Sequence, residues 1–123
     1  MPGVRVLIAD DHRLFAEALE AILAAEDRIE VVAHARDGRE AVELWQEHKP
    51  DVTLMDIAMP ALDGLGATRA IRKLDDSARI LMLTGSNARV DVDRARQAGA
   101  AGYVTKDRIA AELIDAILEV AGR

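Results

Sequence analysis

Five short apolar runs recur along the chain, near residues 4 to 9, 30 to 34, 52 to 55, 80 to 83 and 102 to 104, and a segment with helical spacing follows each of them. Regular alternation of strand and helix constrains the fold strongly. Short connections force the strands to be parallel and the crossovers right-handed, so helices must lie on both faces of one sheet. The runs VRVLIA, VTLM and ILML are apolar on both faces, as central strands covered from above and below must be. EVVAH is more polar and suits an edge. At 123 residues the chain holds one domain, residues 1–123, with a core of aliphatic side chains. These patterns predict a doubly wound (βα)5 fold, a three-layer αβα sandwich.

The helical segments carry matching stripes. Leu14, Phe15, Ala18, Leu19, Ile22 and Leu23 form one, and Ile109, Ala110, Leu113, Ile114, Ile117 and Leu118 form another, each able to cover a sheet face. Asp37, with Glu40 three residues on, has the spacing of a capping box, and Asp107 is placed to cap the last helix. Trp45 is expected on a helix, half covering the sheet edge. Pro50 and Pro60 bracket the third strand and its exit, while Gly99 and Gly102 mark the end of the fourth helix and the start of the last strand.

Composition removes several classes of function. Without cysteine there are no disulfides, thiol nucleophiles or Cys-bearing zinc sites. A net charge of −6 and only 2% aromatic residues speak against direct contact with nucleic acid, which needs clustered cations or stacking surfaces. No apolar run approaches the roughly 20 residues of a membrane span, so a soluble, cytoplasmic protein without membrane contact is expected.

In open parallel sheets, ligands bind beyond the carboxyl ends of the strands. Sorted by that rule, Asp10 and Asp11 follow the first strand, Asp56 the third, Thr84 the fourth and Lys106 the fifth. Taken singly, each has an ordinary explanation: Asp11 as a helix cap, Lys106 as a solvated amine, Thr84 as a β-branched strand end, Tyr103 as a half-buried edge residue. Together they bring acid, acid, hydroxyl and amine to one rim, and secondary-structure propensity gives no reason for that convergence.

Two carboxylates about 5 Å apart repel by roughly 3 kcal/mol at an effective dielectric near 20, so three acids on one rim call for positive charge. Lys106 supplies one unit, and a divalent ion on Asp11, Asp56 and a backbone carbonyl brings the formal sum to zero. Oxygen ligation without cysteine favours Mg2+ or Mn2+. Such a site suits phosphoryl transfer, with Asp56 as acceptor and with Lys106 and the Thr84 hydroxyl on phosphoryl oxygens.

IADDH, LMDIAMPALDG with Gly64, LTG with Gly85, and GYVTK occur in this order and spacing, and through them the whole chain closely resembles the receiver domain of bacterial two-component response regulators. DDHRLFAEAL and GYVTKD are similar to the subfamily that carries a LuxR-type helix-turn-helix output domain. The resemblance implies a flavodoxin-like sheet of order 2-1-3-4-5. It also implies a phosphorylation-dependent switch in which a sensor histidine kinase donates a phosphoryl group to Asp56. Asp11, Asp56 and the Ala58 carbonyl would then ligate Mg2+, with Asp10 acting through water. Lys106 would pair with the phosphoryl group, Thr84 would move towards it and Tyr103 would change rotamer. Ala58 and Ser86 occupy the positions that tune dephosphorylation, and alanine at 58 implies modest, unassisted loss of the group.

Output in this family is a change of partner, including a phosphorylation-dependent homodimer. The chain runs to EVAGR directly after the fifth helix, so it is expected to be either a stand-alone receiver or, as the LuxR-like stretches favour, a cut from a longer regulator that would reach DNA only through an output domain outside this chain. Such a domain signals rather than turning over a substrate.

Three other readings compete. A haloacid-dehalogenase-like phosphatase needs an acid where Ala58 stands. A flavin or nucleotide binder needs a glycine-rich loop where Asp10 and Asp11 stand. A degenerate receiver would dock partners without phosphorylation. His12, His34 and His48 are scattered, and only His12 lies near the rim. Many receivers have proline after the lysine, often with a cis peptide; here Asp107 stands in that place, so no cis bond is expected.

Overall fold

The computed structural model describes residues 3–85 and 89–122. Five strands alternate with five helices: β1 (Val4–Ala9), α1 (Arg13–Ala24), β2 (Ile29–Ala35), α2 (Gly38–His48), β3 (Val52–Asp56), α3 (Gly64–Leu74), β4 (Ile80–Thr84), α4 (Arg89–Ala98), β5 (Gly102–Thr105) and α5 (Ile109–Ala121). All strand pairs are parallel and the sheet runs β2-β1-β3-β4-β5. The polar run EVVAH therefore sits at an edge. This is the doubly wound fold expected from the alternation, in the flavodoxin-like order that the resemblance implied.

Because strand side chains alternate between faces, the apolar runs feed two separate cores. Val6, Ile8, Leu54, Leu81 and Leu83 point to one face, where Leu19 and Leu23 of α1 and Leu113 and Ile117 of α5 cover them. Leu7, Ala9, Met55, Ile80 and Met82 point to the other, beneath Trp45 of α2, Ile71 of α3 and Ala95 of α4. The stripes of α1 and α5 thus share one face. Trp45 is buried in the second core, a correction to its expected place half covering the sheet edge. Its ring sits one helical turn from Ala41, which is also buried, and Lys49 places its ammonium 4.3 Å from the ring centroid.

Local signals set the helix starts. The Asp37 carboxylate accepts from the Glu40 amide at 2.8 Å, and Glu40 accepts from the Arg36 amide at 3.0 Å, one residue before the cap. Asp63 caps α3 in the same manner through the Gly66 amide at 2.8 Å. Asp107 does not cap α5, because Lys106–Arg108 closes a single 3-10 turn and the helix proper begins at Ile109 behind Arg108. Gly99, with φ +102°, reverses the chain after α4 in a conformation that glycine adopts without steric cost.

Candidate functional site

The carboxyl ends of β1, β3, β4 and β5 deliver Asp10, Asp56, Thr84 and Lys106 to one rim. Asp10 and Asp56 are buried at the ends of apolar strands, and Thr84 is buried beside them. Asp11 and His12 follow at the surface, in the short link to α1. Asp11 is not a helix cap. The capping position belongs to His12, whose side chain makes no capping hydrogen bond, and the simple explanation for Asp11 falls away.

Lys106 reaches inward from the 3-10 turn after β5. Its Nζ lies 3.4 Å from Asp56 Oδ1 and 4.0 Å from Asp10 Oδ2. The same ammonium lies 4.5 Å from the centre of the Phe15 ring, so it is held between two carboxylates and an aromatic face. Sequence reading placed Phe15 only in the apolar stripe of α1, and nothing in its spacing announces a cation above it.

The rim carries an excess of negative charge. Asp10 Oδ1 accepts from the His12 amide at 2.7 Å, but Asp10 Oδ2 and Asp56 Oδ2 are buried without a hydrogen-bond partner among the described residues. Leaving a buried polar atom unpaired costs about 1–3 kcal/mol, and more for a charged one. Burial first, and the neighbouring charge of Asp10 second, hold the Asp56 carboxyl above the ordinary aspartate range. Lys106 and the Ala58 amide oppose that rise without overcoming it. Ligand atoms of Asp10, Asp11, His12 and Asp56 all lie within 4.8 Å of one another, a group able to hold a metal ion. The orphaned carboxylate oxygens and an oxygen-rich donor set fit a hard dication.

Backbone architecture keeps this region compact. The Gly64 amide donates to the Ile57 carbonyl at 2.8 Å, and a Cβ on Gly64 would stand 2.0 Å from the Asp56 carbonyl oxygen. Glycine at 64 therefore lets α3 begin directly against the back of the Asp56 peptide. An open depression of about 270 Å³ lies in front of the acids, lined by His12, Asp56, Ala58, Thr84, Gly85, Asp91 and Lys106 among others. Asp91, from the first turn of α4, was not singled out by sequence. Tyr103 lies on edge strand β5 and is 39% exposed. Ser86 falls outside the described residues.

A compact acidic rim carrying one lysine narrows the choice of family, and comparison decides it. The pattern that defines the response regulator receiver domain matches residues 6–118. The chain belongs to the response regulator receiver family. It is 41% identical over 118 residues to the transcriptional regulatory protein DegU of Brevibacillus brevis, covering 96% of this chain and 50% of DegU. Against the signal receiver domain of the putative response regulator NarL from Mycobacterium tuberculosis the TM-score is 0.94 at 37% identity, over 99% of this chain and 98% of that one. A chain of the CheX–CheY–BeF3–Mg2+ complex from Borrelia burgdorferi superposes with TM-score 0.90 at 27% identity, over 97% of this chain and 90% of that one. The chain spans about half the length of its curated transcriptional relatives.

Receiver domains are signalling domains of two-component systems rather than enzymes with turnover. Two of the competing readings find no support in the geometry. Position 58 offers a methyl group and an amide where a phosphatase of the dehalogenase type needs an acid. Acids, not a glycine-rich loop, follow β1. Among the described residues no helix is long and apolar enough to cross a membrane.

Proposed function

We propose that this receiver is a phosphorylation-dependent switch in which Asp56 accepts a phosphoryl group from a phosphohistidine of a sensor histidine kinase. The observation that carries this reading is the placement of Lys106 Nζ 3.4 Å from one Asp56 oxygen while the other lies buried and unpaired. One carboxylate oxygen is thus engaged by a cation, and the second is left to act as nucleophile or ligand.

In the transfer, an Asp56 carboxylate oxygen forms the new P–O bond as the N–P bond of the phosphohistidine breaks, and the imidazole leaves with the electron pair. Lys106 stabilises negative charge on the phosphoryl oxygens, and the Thr84 hydroxyl donates to one of them. Asp11, Asp56 and the Ala58 carbonyl would hold Mg2+ or Mn2+, with Asp10 engaged through water. The dication supplies charge neutralisation between the acids and the incoming phosphoryl group. The Borrelia neighbour, solved in a complex with BeF3 and Mg2+, supports a magnesium site in this chain. Ala58 carries no side chain able to orient a hydrolytic water, so loss of the group is unassisted and modest in rate. Ser86 lies at the other tuning position.

Movement of Thr84 towards the phosphoryl group and rotation of Tyr103 would couple the site to the surface of α4 and β5, a population shift between two packings. Partners are then the kinase, a second copy of the chain in a phosphorylation-dependent dimer, and DNA through an output domain of the LuxR type outside residues 1–123. The setting is cytoplasmic.

Incubation with acetyl phosphate and Mg2+, followed by intact mass, tests the reading. A single phosphoryl adduct that is absent from Asp56→Ala supports it. No adduct under any donor would leave the domain as an unphosphorylated docking module.

A further inference from the structure

Within the acidic cluster of Asp10, Asp11, His12 and Asp56, His12 is the member that the switch reading does not use. It stands at the cap position of α1 with an extended backbone, and its amide is fixed by Asp10 Oδ1 at 2.7 Å. From there its ring turns over the acids. Nδ1 lies 3.2 Å from Asp11 Oδ1 and 3.4 Å from Asp10 Oδ1. Yet the ring belongs to no core, since its side chain is 66% exposed.

An acidic cluster alone does not specify its ligand, but a second observation here does. Asp10 Oδ2 and Asp56 Oδ2 are buried with no hydrogen-bond partner among the described residues, on side chains that are 0% and 5% exposed. They are oxygen donors already stripped of solvent. Donor atoms on opposite sides of a first-row dication sit about 4 Å apart, given bonds of roughly 2.0–2.2 Å. The four donor atoms of Asp10, Asp11, His12 and Asp56 lie within 4.8 Å of one another, which small rotations of exposed Asp11 and His12 can close.

We propose that His12 contributes an imidazole nitrogen to this site, so that it takes a nitrogen-accepting transition dication such as Zn2+ or Ni2+ as well as the hard ion of the switch. The inference rests on the reading of the rim acids as a dication site. Its chemistry is the contrast between donor classes: imidazole suits zinc and nickel, whereas magnesium demands oxygen and keeps its waters. Loss of the ring therefore removes a ligand from one class of ion and spares the other. A carboxylate-only site would lose nothing to either.

Calorimetric titration of the whole chain with ZnCl2, NiCl2 and MgCl2, for wild type and His12→Phe, is paired with imidazole NMR of the wild type during Zn2+ addition. Expected is a loss of Zn2+ and Ni2+ affinity in His12→Phe by roughly tenfold or more, the scale on which even outer-shell partners affect a metal site. Mg2+ affinity should stay nearly unchanged. The imidazole resonances of His12 should shift with Zn2+ ahead of those of His34 and His48. Equal affinities in the variant, equal losses for all three ions, or shifts at His34 or His48 with His12 unmoved would each overturn the inference. Failure of the wild type to bind Mg2+ as well as Zn2+ would instead remove the acid-site reading beneath it, and the inference with it.

Discussion

The Lys106 ammonium lies 4.5 Å from the centre of the Phe15 ring and 3.4 Å from Asp56 Oδ1, so one cation is shared between an aromatic face and the Asp56 carboxylate. A flexible four-carbon stem would otherwise sample many positions, and Asp107 behind it supplies none of the rigidity of a proline. The ring limits that freedom. A cation over an aromatic face is worth about 1 kcal/mol at a partly exposed position. Phe15→Leu should therefore slow phosphorylation of Asp56 by acetyl phosphate about fivefold, while Phe15→Tyr keeps the face and the rate. Equal rates in all three proteins would show that the ring has no part in placing the lysine.

Asp56 makes the fold less stable near neutral pH. Its carboxyl titrates above the ordinary aspartate range, chiefly through burial and then through the charge of Asp10. A raised folded-state value means that the favourable contribution belongs to the protonated form. It is complete below the unfolded-chain value near 4 and is lost as pH rises through the folded-state value. Asparagine stays neutral throughout. Asp56→Asn should therefore melt about 3–5 °C above wild type at pH 7 in EDTA, for a gain on the order of 1 kcal/mol. The difference should shrink towards zero near pH 4. Mg2+ should narrow it at pH 7 by stabilising the wild type alone. A constant difference from pH 4 to pH 8 would contradict the charge origin.

Most of the architecture was legible because two-sided apolar runs have few alternatives. VRVLIA, VTLM and ILML can be buried only between helices, and they became β1, β3 and β4. Asp10, Asp56 and Lys106 were legible as partners because the strand-end rule converts sequence order into position on one rim. What escaped depends on contacts between residues far apart in the chain. No periodicity records that Phe15 will lie beneath Lys106, or that α3 will start against the Asp56 peptide. Trp45 was misplaced although Ala41, one turn earlier, shares its buried face; in the polar segment GREAVELWQEH the stripe is narrow and reads as a half-covered helix. Asp107 has the right chemistry for a cap, but the 3-10 turn around it moves the helix start to Ile109.

Two glycines near Asp56 should respond differently to alanine. At Gly64 the new Cβ would stand 2.0 Å from the Asp56 carbonyl oxygen and 2.9 Å from Ile57 Cα, both backbone atoms that cannot turn aside. At Gly85 it would meet nothing within 4 Å among the described residues. Gly64→Ala should cost about 2 kcal/mol or more and disturb Asp56 reactivity along with stability. Gly85→Ala should melt within about 2 °C of wild type, since surface changes of this kind stay near ±0.5 kcal/mol. Chemical denaturation of both variants checks the contrast, and equal losses would refute it.

Among the described residues, α4, which borders the depression in front of Asp56, is the least anchored helix. Among its described residues α4 buries only Ala95 and Ala98, two small side chains, whereas α5 buries Ile109, Leu113, Ile117 and Val120. A fully buried Leu or Ile contributes about 1.5–3 kcal/mol through burial, and a methyl group about a third of that. Opening α4 should therefore need several kcal/mol less than opening α5, because local stability follows buried apolar contacts. Native-state amide exchange should show α4 protected least among the helices, with α5 close to the global limit. Weak anchoring places the free-energy cost of rearrangement lowest in the element next to Thr84, where the proposed switch would carry a signal from Asp56. Equal protection in α4 and α5 would remove this physical basis for the switch while leaving the chemistry at Asp56 untouched.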